Sequence, residues 1–390
     1  MSRINRVEVH VFQFDAQNLG AVRGAGVGAF GYAKGAKLRV TKYAVVIATD
    51  NGLRGEYVTH WVASGSALGQ TTMLAPYLLG REAEERELIY DDLKRQARQF
   101  DHMGHGPLDI ALWDLQGKKL GCSVSELLGA YRKRLATYAS TYHGDRNGGL
   151  DSKEKFGEFA LRCYEMGYRA FKIHGWNDGN AREEAQNLLH VRKVVGDKMN
   201  LMIDPACELR TFADALYVGR ACDEANYFWY EDPFRDSGVS AFAHKKLREM
   251  IDTPILQTEH VRGVEPKADF LIQGGTDILR SDPEYDMGIT GAMKIAHLAE
   301  ALGVDVEIHA CGPAHRHCMA ATRNTNYYEL ALVGPDTPNA VPPVYKCGYS
   351  DQLDAVGKDG CVPVPTGPGL GVEYDWQFIE KNRVAHHVFT

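Results

Sequence analysis

The sequence predicts an α/β protein in which a (β/α)-type barrel of parallel strands follows an N-terminal α+β unit. Three observations predict it. Past Arg134, short apolar or β-branched runs recur eight times: Leu135–Thr141, Ala170–His174, Leu201–Asp204, Tyr227–Glu231, Ile255–Glu259, Ile278–Asp282, Val306–His309 and Tyr328–Val333. Runs of this length, bounded by turn signals, read as buried parallel strands. Most gaps between them carry an amphipathic helical pattern, as at Lys153–Met166, Ala181–Val195, Thr211–Ala225, Ala241–Met250 and Gly291–Leu302. Three runs end in an acid, Asp204, Glu231 and Glu259, 27 and then 28 residues apart. That interval holds one strand, one helix and two short loops. Right-handed crossovers make closure of such a series natural, with a doubly wound open sheet as the alternative.

Taken in order, Arg6–Asp15 and Val40–Asp50 alternate apolar and polar residues as antiparallel strands do. Asp50-Asn51-Gly52 supplies a turn, and Leu53–Val58 follows as a third strand. The Gly-rich stretch Gly20 to Gly35 reads as a mobile flap. Within it, Gly26-Val27-Gly28-Ala29-Phe30-Gly31 matches the dinucleotide fingerprint formally. That fingerprint needs a helix to begin at its glycines, and strand-like sequence follows instead. Helical spacing then takes over at Thr71–Leu79, Ala83–Gln99 and Gly106–Leu120, the last with Gly121 as its stop. Residues 1–130 therefore form the α+β unit and 131–361 the barrel. The Gly- and Pro-rich tail, Asp351–Thr390, packs back on the first unit, which about 362–390 completes.

Composition narrows the function. Of 390 residues, 44% are apolar and 24% charged, ordinary values for a folded globular chain. A net charge of −7 with no long Lys/Arg run argues against a nucleic-acid surface. No stretch approaches the roughly 18 apolar residues of a membrane span. The eight scattered cysteines contain no CxxC pair and read as reduced thiols. A soluble cytoplasmic protein is the expectation.

In a closed parallel barrel the carboxyl ends of all strands open on one face, where chemistry sits. There Asp204, Glu231 and Glu259 would repel each other unless a cation stood among them, and hard oxygen donors without thiolates suggest Mg²⁺ or Mn²⁺. Other strand ends supply Lys172-Ile173-His174, whose outer two residues share one side of the strand, then Asp282, His309 and Glu329. Polar groups at seven successive strand ends are hard to explain as structure, because each would lie buried without a partner. A zinc site in His309-Ala310-Cys311…His315-Arg316-His317-Cys318 lacks the second, separated Cys/His pair that structural zinc wants.

Lys-x-basic, then Asp, Glu and Glu on successive strands, followed by an Asp, a His and a Glu, resembles the enolase superfamily, mandelate racemase subgroup. The spacings 23 (259 to 282), 27 (282 to 309) and 20 (309 to 329) fit that register, and the Pro-Gly-Leu-Gly tail matches too. The resemblance implies a modified (β/α)7β TIM-type barrel with an N-terminal α+β capping domain, and often a homo-oligomer. It implies one Mg²⁺ per subunit on Asp204, Glu231 and Glu259, with Mn²⁺ an alternative, and a small carboxylate substrate. His309 would be an acid/base oriented by Asp282. Glu329, through a raised pKa, would hydrogen-bond the substrate carboxylate opposite the metal.

One position departs from the pattern. His174 replaces the second Lys of the usual Lys-x-Lys, leaving Lys172 as the outer cation near the substrate carboxylate. Imidazoles titrate near neutrality and serve as base or proton donor. Two matched bases on opposite faces are then no longer assured, which suits a dehydratase over a racemase. The expected function is a hydro-lyase acting on an acid sugar (an aldonate or aldarate). It would abstract the α-proton to a metal-stabilised enediolate and expel the β-hydroxyl, giving a 2-keto-3-deoxy acid. A racemase, epimerase or cycloisomerase through the same enediolate is the alternative, and a non-catalytic metal- or sugar-acid-binding protein the third. Arg23, His60, Trp61, Tyr142, His143 and Trp176 are candidates to line the pocket, with Arg23 and Tyr32 in the flap.

Overall fold

Alternation along the first residues puts Val7, Val9 and Val11 on one buried face of β1 (Ile4–Ala21), with Arg6 outside. The computed structural model describes residues 2–21, 30–61 and 65–390. β1 pairs antiparallel with β2 (Phe30–Thr49), and β2 with β3 (Arg54–Val58). The β1–β2 hairpin is longer than its sequence suggests. Leu19, Gly20 and Ala21 pair with Tyr32, Gly31 and Phe30, so the stem of the expected flap is strand. Residues 22–29, with most of the glycine fingerprint and Arg23, lie outside the described residues.

Four helices follow: α1 (Gly65–Leu74), α2 (Arg86–Gln96), α3 (Gly106–Leu120) and the single turn α4 (Val124–Leu127). α3 is buried almost all round and fastens three parts of the molecule together. Its Asp109 accepts from the Thr290 amide and hydroxyl, and its Asp114 from the Glu56 and Leu370 amides. Gly55 of β3 is required here, because a Cβ would stand 2.1 Å from the Ala111 carbonyl.

The barrel strands are β4 (Arg134–His143), β5 (Ala170–His174), β6 (Asn200–Asp204), β7 (Trp229–Glu231), β8 (Ile255–Gln257), β9 (Ile278–Ser281), β10 (Asp305–Ile308) and β11 (Tyr328–Val333). Seven helices connect them: α5 (Lys153–Met166), α6 (Ala181–Val195), α7 (Phe212–Glu224), α8 (Ala241–Arg248), α9 (Val264–Ile272), α10 (Gly288–Ala301) and α11 (Pro313–Ala321). Ser152, Thr211 and Ser240 cap α5, α7 and α8 by accepting the amide three residues on. The strands are parallel in the order β10-β9-β8-β7-β6-β5-β4-β11, the modified (β/α)7β TIM-type barrel. No ladder joins β10 to β11 among the described residues. That seam is bridged by Val306 N–H to the Asn324 carbonyl, Ala310 N–H to Glu329 and Gly312 N–H to the Tyr328 hydroxyl.

The tail adds β12 (Cys361–Pro363) against β4, α12 (Trp376–Lys381) and β13 (Arg383–Phe389), whose pairing with β1 gives the sheet order β13-β1-β2-β3. One apolar cluster runs from Val7 and Val45 through Leu112 and Leu115 to Ile289 and Ile308, so sheet and barrel share a core. Burying each such side chain contributes about 1.5–3 kcal/mol.

Candidate active site

β6 ends in Asp204 and β7 in Glu231, while Glu259 stands just beyond β8 and not on it as its sequence run suggests. The strand stops because Thr258 turns to a left-handed φ of 93°. One carboxylate oxygen of each acid lies within 4.8 Å of the others. Ala206, Cys207, Asp232 and Ala310 share the left-handed region at this rim. Such conformations cost on the order of 1–3 kcal/mol each and gather where loops must turn sharply to present side chains.

Beneath the three acids is a charged floor. Lys172 Nζ lies 2.8 Å from Glu231, 3.0 Å from Glu329 and 3.5 Å from Asp204. Arg280 reaches Glu231 at 2.8 Å, Glu329 at 2.6 Å and the Tyr138 hydroxyl at 3.1 Å. Burial pushes the Glu231 carboxyl up to about 8, the two cations pulling against that and the charges of Asp204 and Glu329 adding to it. Burial also opposes the charge on Asp204, but His174 and Lys172 hold it below the usual carboxylate range.

Two expectations are corrected at this floor. Lys172 is not an outer cation: it is 1% exposed and locked among carboxylates. Glu329 does not carry a raised pKa. Burial works that way, but Lys172, Arg280 and the Ala310 amide hold it ionised, well below the ordinary value.

Two imidazoles face the space above. His309 Nδ1 donates to Asp282 Oδ2 at 2.6 Å, and its Nε2 is 3.4 Å from Glu259. Asp282 also accepts from the Glu284 amide (2.6 Å) and from His315 Nε2 (3.2 Å), which fixes its orientation. The His309 ring stacks on Tyr285, with Trp61 edge-on behind it. Burial alone would lower the His309 pKa, but Glu259 and then Asp282 raise it to about 9. His174 Nδ1 donates to the Thr141 carbonyl (2.7 Å), and Nε2 is 3.1 Å from Asp204 Oδ2. The β5–β6 register sets this contact, because His174 and Asp204 are direct neighbours across the ladder.

These groups open on a cavity of about 580 Å³ roofed by β2, with Trp61, His143 and Tyr285 among its walls. His60, Tyr142 and Trp176 do not line it. The His60 ring bonds the Tyr345 hydroxyl, Tyr142 donates to the Pro338 carbonyl, and Trp176 donates to the Leu150 carbonyl while packing on Phe156. The His- and Cys-rich run after His309 does not converge. His315 serves Asp282, His317 bonds the Ser125 amide and the Leu370 carbonyl, and Cys311 the Ala331 carbonyl. Arg280 and His260 join the site unannounced by the sequence reading, His260 Nε2 lying 3.3 Å from Asp232. A charged residue inside an apolar strand, two before Asp282, was the available signal for Arg280.

Comparison with known proteins places this geometry. Residues 155–378 match the enolase C-terminal domain-like model, and residues 33–129 match the N-terminal domain of the mandelate racemase / muconate lactonizing enzyme family. The chain belongs to the enolase superfamily, mandelate racemase type. Within this superfamily it is similar to the D-gluconate dehydratase of Thermoproteus tenax, 27% identical over 337 residues, 82% of this chain and 64% of that protein. It is 29% identical to the D-galactarolactone cycloisomerase of Agrobacterium fabrum, over 79% of this chain and 82% of that one. The crystal structure of D-glucarate dehydratase from Agrobacterium tumefaciens complexed with magnesium superposes with a TM-score of 0.84 at 28% identity, covering 98% of this chain and 99% of that one.

Proposed function

We propose that this member of the mandelate racemase group is a Mg²⁺-dependent dehydratase of an acid sugar (aldonate or aldarate), yielding a 2-keto-3-deoxy acid. The observation that carries it is the convergence of three carboxylates within 4.8 Å beside an Asp-oriented histidine. All three donors are hard oxygens that converge within 4.8 Å, so the residues present fit a divalent oxygen-seeking cation. Asp204, Glu231 and Glu259 would hold it. When bound, it supplies the positive charge that offsets a substrate carboxylate as that group gains electron density.

The protein's own groups do the rest. With Nδ1–H fixed on Asp282, His309 presents Nε2, 3.4 Å from Glu259, at the cavity, where it takes the α-proton. Asp282 orients the ring and stabilises the imidazolium that forms. From the floor, Lys172 and Arg280 hold Glu231 and Glu329 in place. His174, on the other side, gives a proton to the departing β-hydroxyl. Residues 1–130, with about 362–390, cap the barrel of 131–361 and exclude water from it.

The test is a screen of mono- and dicarboxylic acid sugars with Mg²⁺ for keto-acid formation; no product across the panel would end the dehydratase reading. Two imidazoles facing one cavity also favour an epimerase or cycloisomerase. Exchange or inversion in D₂O without a keto product would select that alternative.

A further inference from the structure

The cations on the cavity wall are not equivalent. Arg39 is paired with Asp15 and Arg262 with Asp101. Lys42 of β2 has no carboxylate within ion-pair distance among the described residues. Its side chain is 5% exposed, and Nζ donates to the His60 carbonyl while lying 5.6 Å from the centroid of the Trp61 ring. Burial pushes this ammonium down to about 8, with the charge of Glu284 opposing in part. Glu284 is itself engaged by the Tyr57 hydroxyl and the His60 and Trp61 amides. An ammonium this deep, with its nearest opposite charge beyond ion-pair distance, is costly to hold, and an anion that reached it would lower that cost.

Charge at the floor points the same way. Asp204, Glu231, Glu259 and Glu329 already engage Lys172, Arg280, His174 and His309, so among the described residues the cations of the floor are all taken up there. Lys42 stands outside that network, on β2 of the other sheet, 5.6 Å from the centroid of Trp61, whose ring is also edge-on to His309. A molecule that fills the cavity meets the three acids, which would hold a divalent cation, and Lys42 on the β2 wall.

We propose that Lys42 receives a second carboxylate, at the end of the substrate remote from the three acids, so that the substrate class is the aldarate and not the aldonate. Lys42 is then a specificity-determining residue, held in place by the His60 carbonyl. The proposal rests on the acid-sugar reading above.

The test uses Lys42→Met and Lys42→Gln in the Mg²⁺-loaded protein. The kcat/KM for matched aldarate and aldonate pairs is measured together with calorimetric binding of each acid. The wild type should prefer aldarates, and either variant should cut the aldarate-over-aldonate ratio about 30- to 100-fold, the worth of a charged hydrogen bond. An aldonate handled as well as its aldarate by the wild type overturns the assignment. So does a variant that weakens both acids alike. Aldarate binding that depends on Lys42 with no keto acid formed would sink dehydration and leave the Lys42 assignment standing.

Discussion

His309 and His174 face one cavity and are held in different ways. His309 leans on Asp282, a carboxylate with no part in the metal-site trio, which His315 and a backbone amide fix from behind. His174 leans on a backbone carbonyl and on Asp204, which belongs to the trio. The first imidazole thus has a carboxylate outside the proposed cation site on one nitrogen and Glu259 on the other, whereas the second has only Asp204 of that site. Differently supported groups suit different jobs, one taking a proton and one giving it.

The largest test of that contrast is His309→Asn. It should lower turnover about 10³-fold or more, with circular dichroism and Mg²⁺ binding unchanged. Unaltered activity would remove His309 from the chemistry. Glu231→Gln should weaken Mg²⁺ binding by more than the roughly 10–100-fold typical of an outer partner, read by calorimetry. Loss of His174, as His174→Gln, should cost about 10–100-fold in kcat, less than loss of His309. Equal losses would erase the asymmetry and favour a racemase with two matched bases.

The smallest effect is on stability in chelator-treated protein. The folded His309 pKa of about 9 lies above the unfolded value near 6.5. Its protonated form therefore stabilises the fold fully below about pH 6.5, and that contribution is lost as pH rises through about 9. Wild-type stability minus that of His309→Asn should shrink across this window in urea titrations. A constant difference would show that Asp282 and Glu259 do not hold a proton on the ring.

The sequence made the barrel legible because eight strands and five of the seven connecting helices carry their own periodicity. Ala170–His174 and Tyr328–Val333 are strands over those same residues. Strand ends were less legible. Glu259 reads as the last residue of a run, yet a left-handed Thr258 puts it in a loop. The β1–β2 stem was hidden by its glycines, which look like a loop until the register pairs Gly20 with Gly31. Side-chain direction was the least legible. His60 and Trp176 follow strands and Tyr142 lies near the end of β4, but backbone carbonyls and a distant tyrosine claim their polar atoms. The depth of Lys172 and the charge on Glu329 also escaped the sequence, because both depend on Arg280 arriving from another strand.

The seam between β10 and β11 has a consequence for how the molecule works. A single oxygen, Glu329 Oε2, accepts from Arg280 and from the Ala310 amide across that gap. One of the three bonds that span the opening therefore ends on the same atom that anchors Arg280 in the charged floor, so the closure of the cylinder and that floor share a carboxylate.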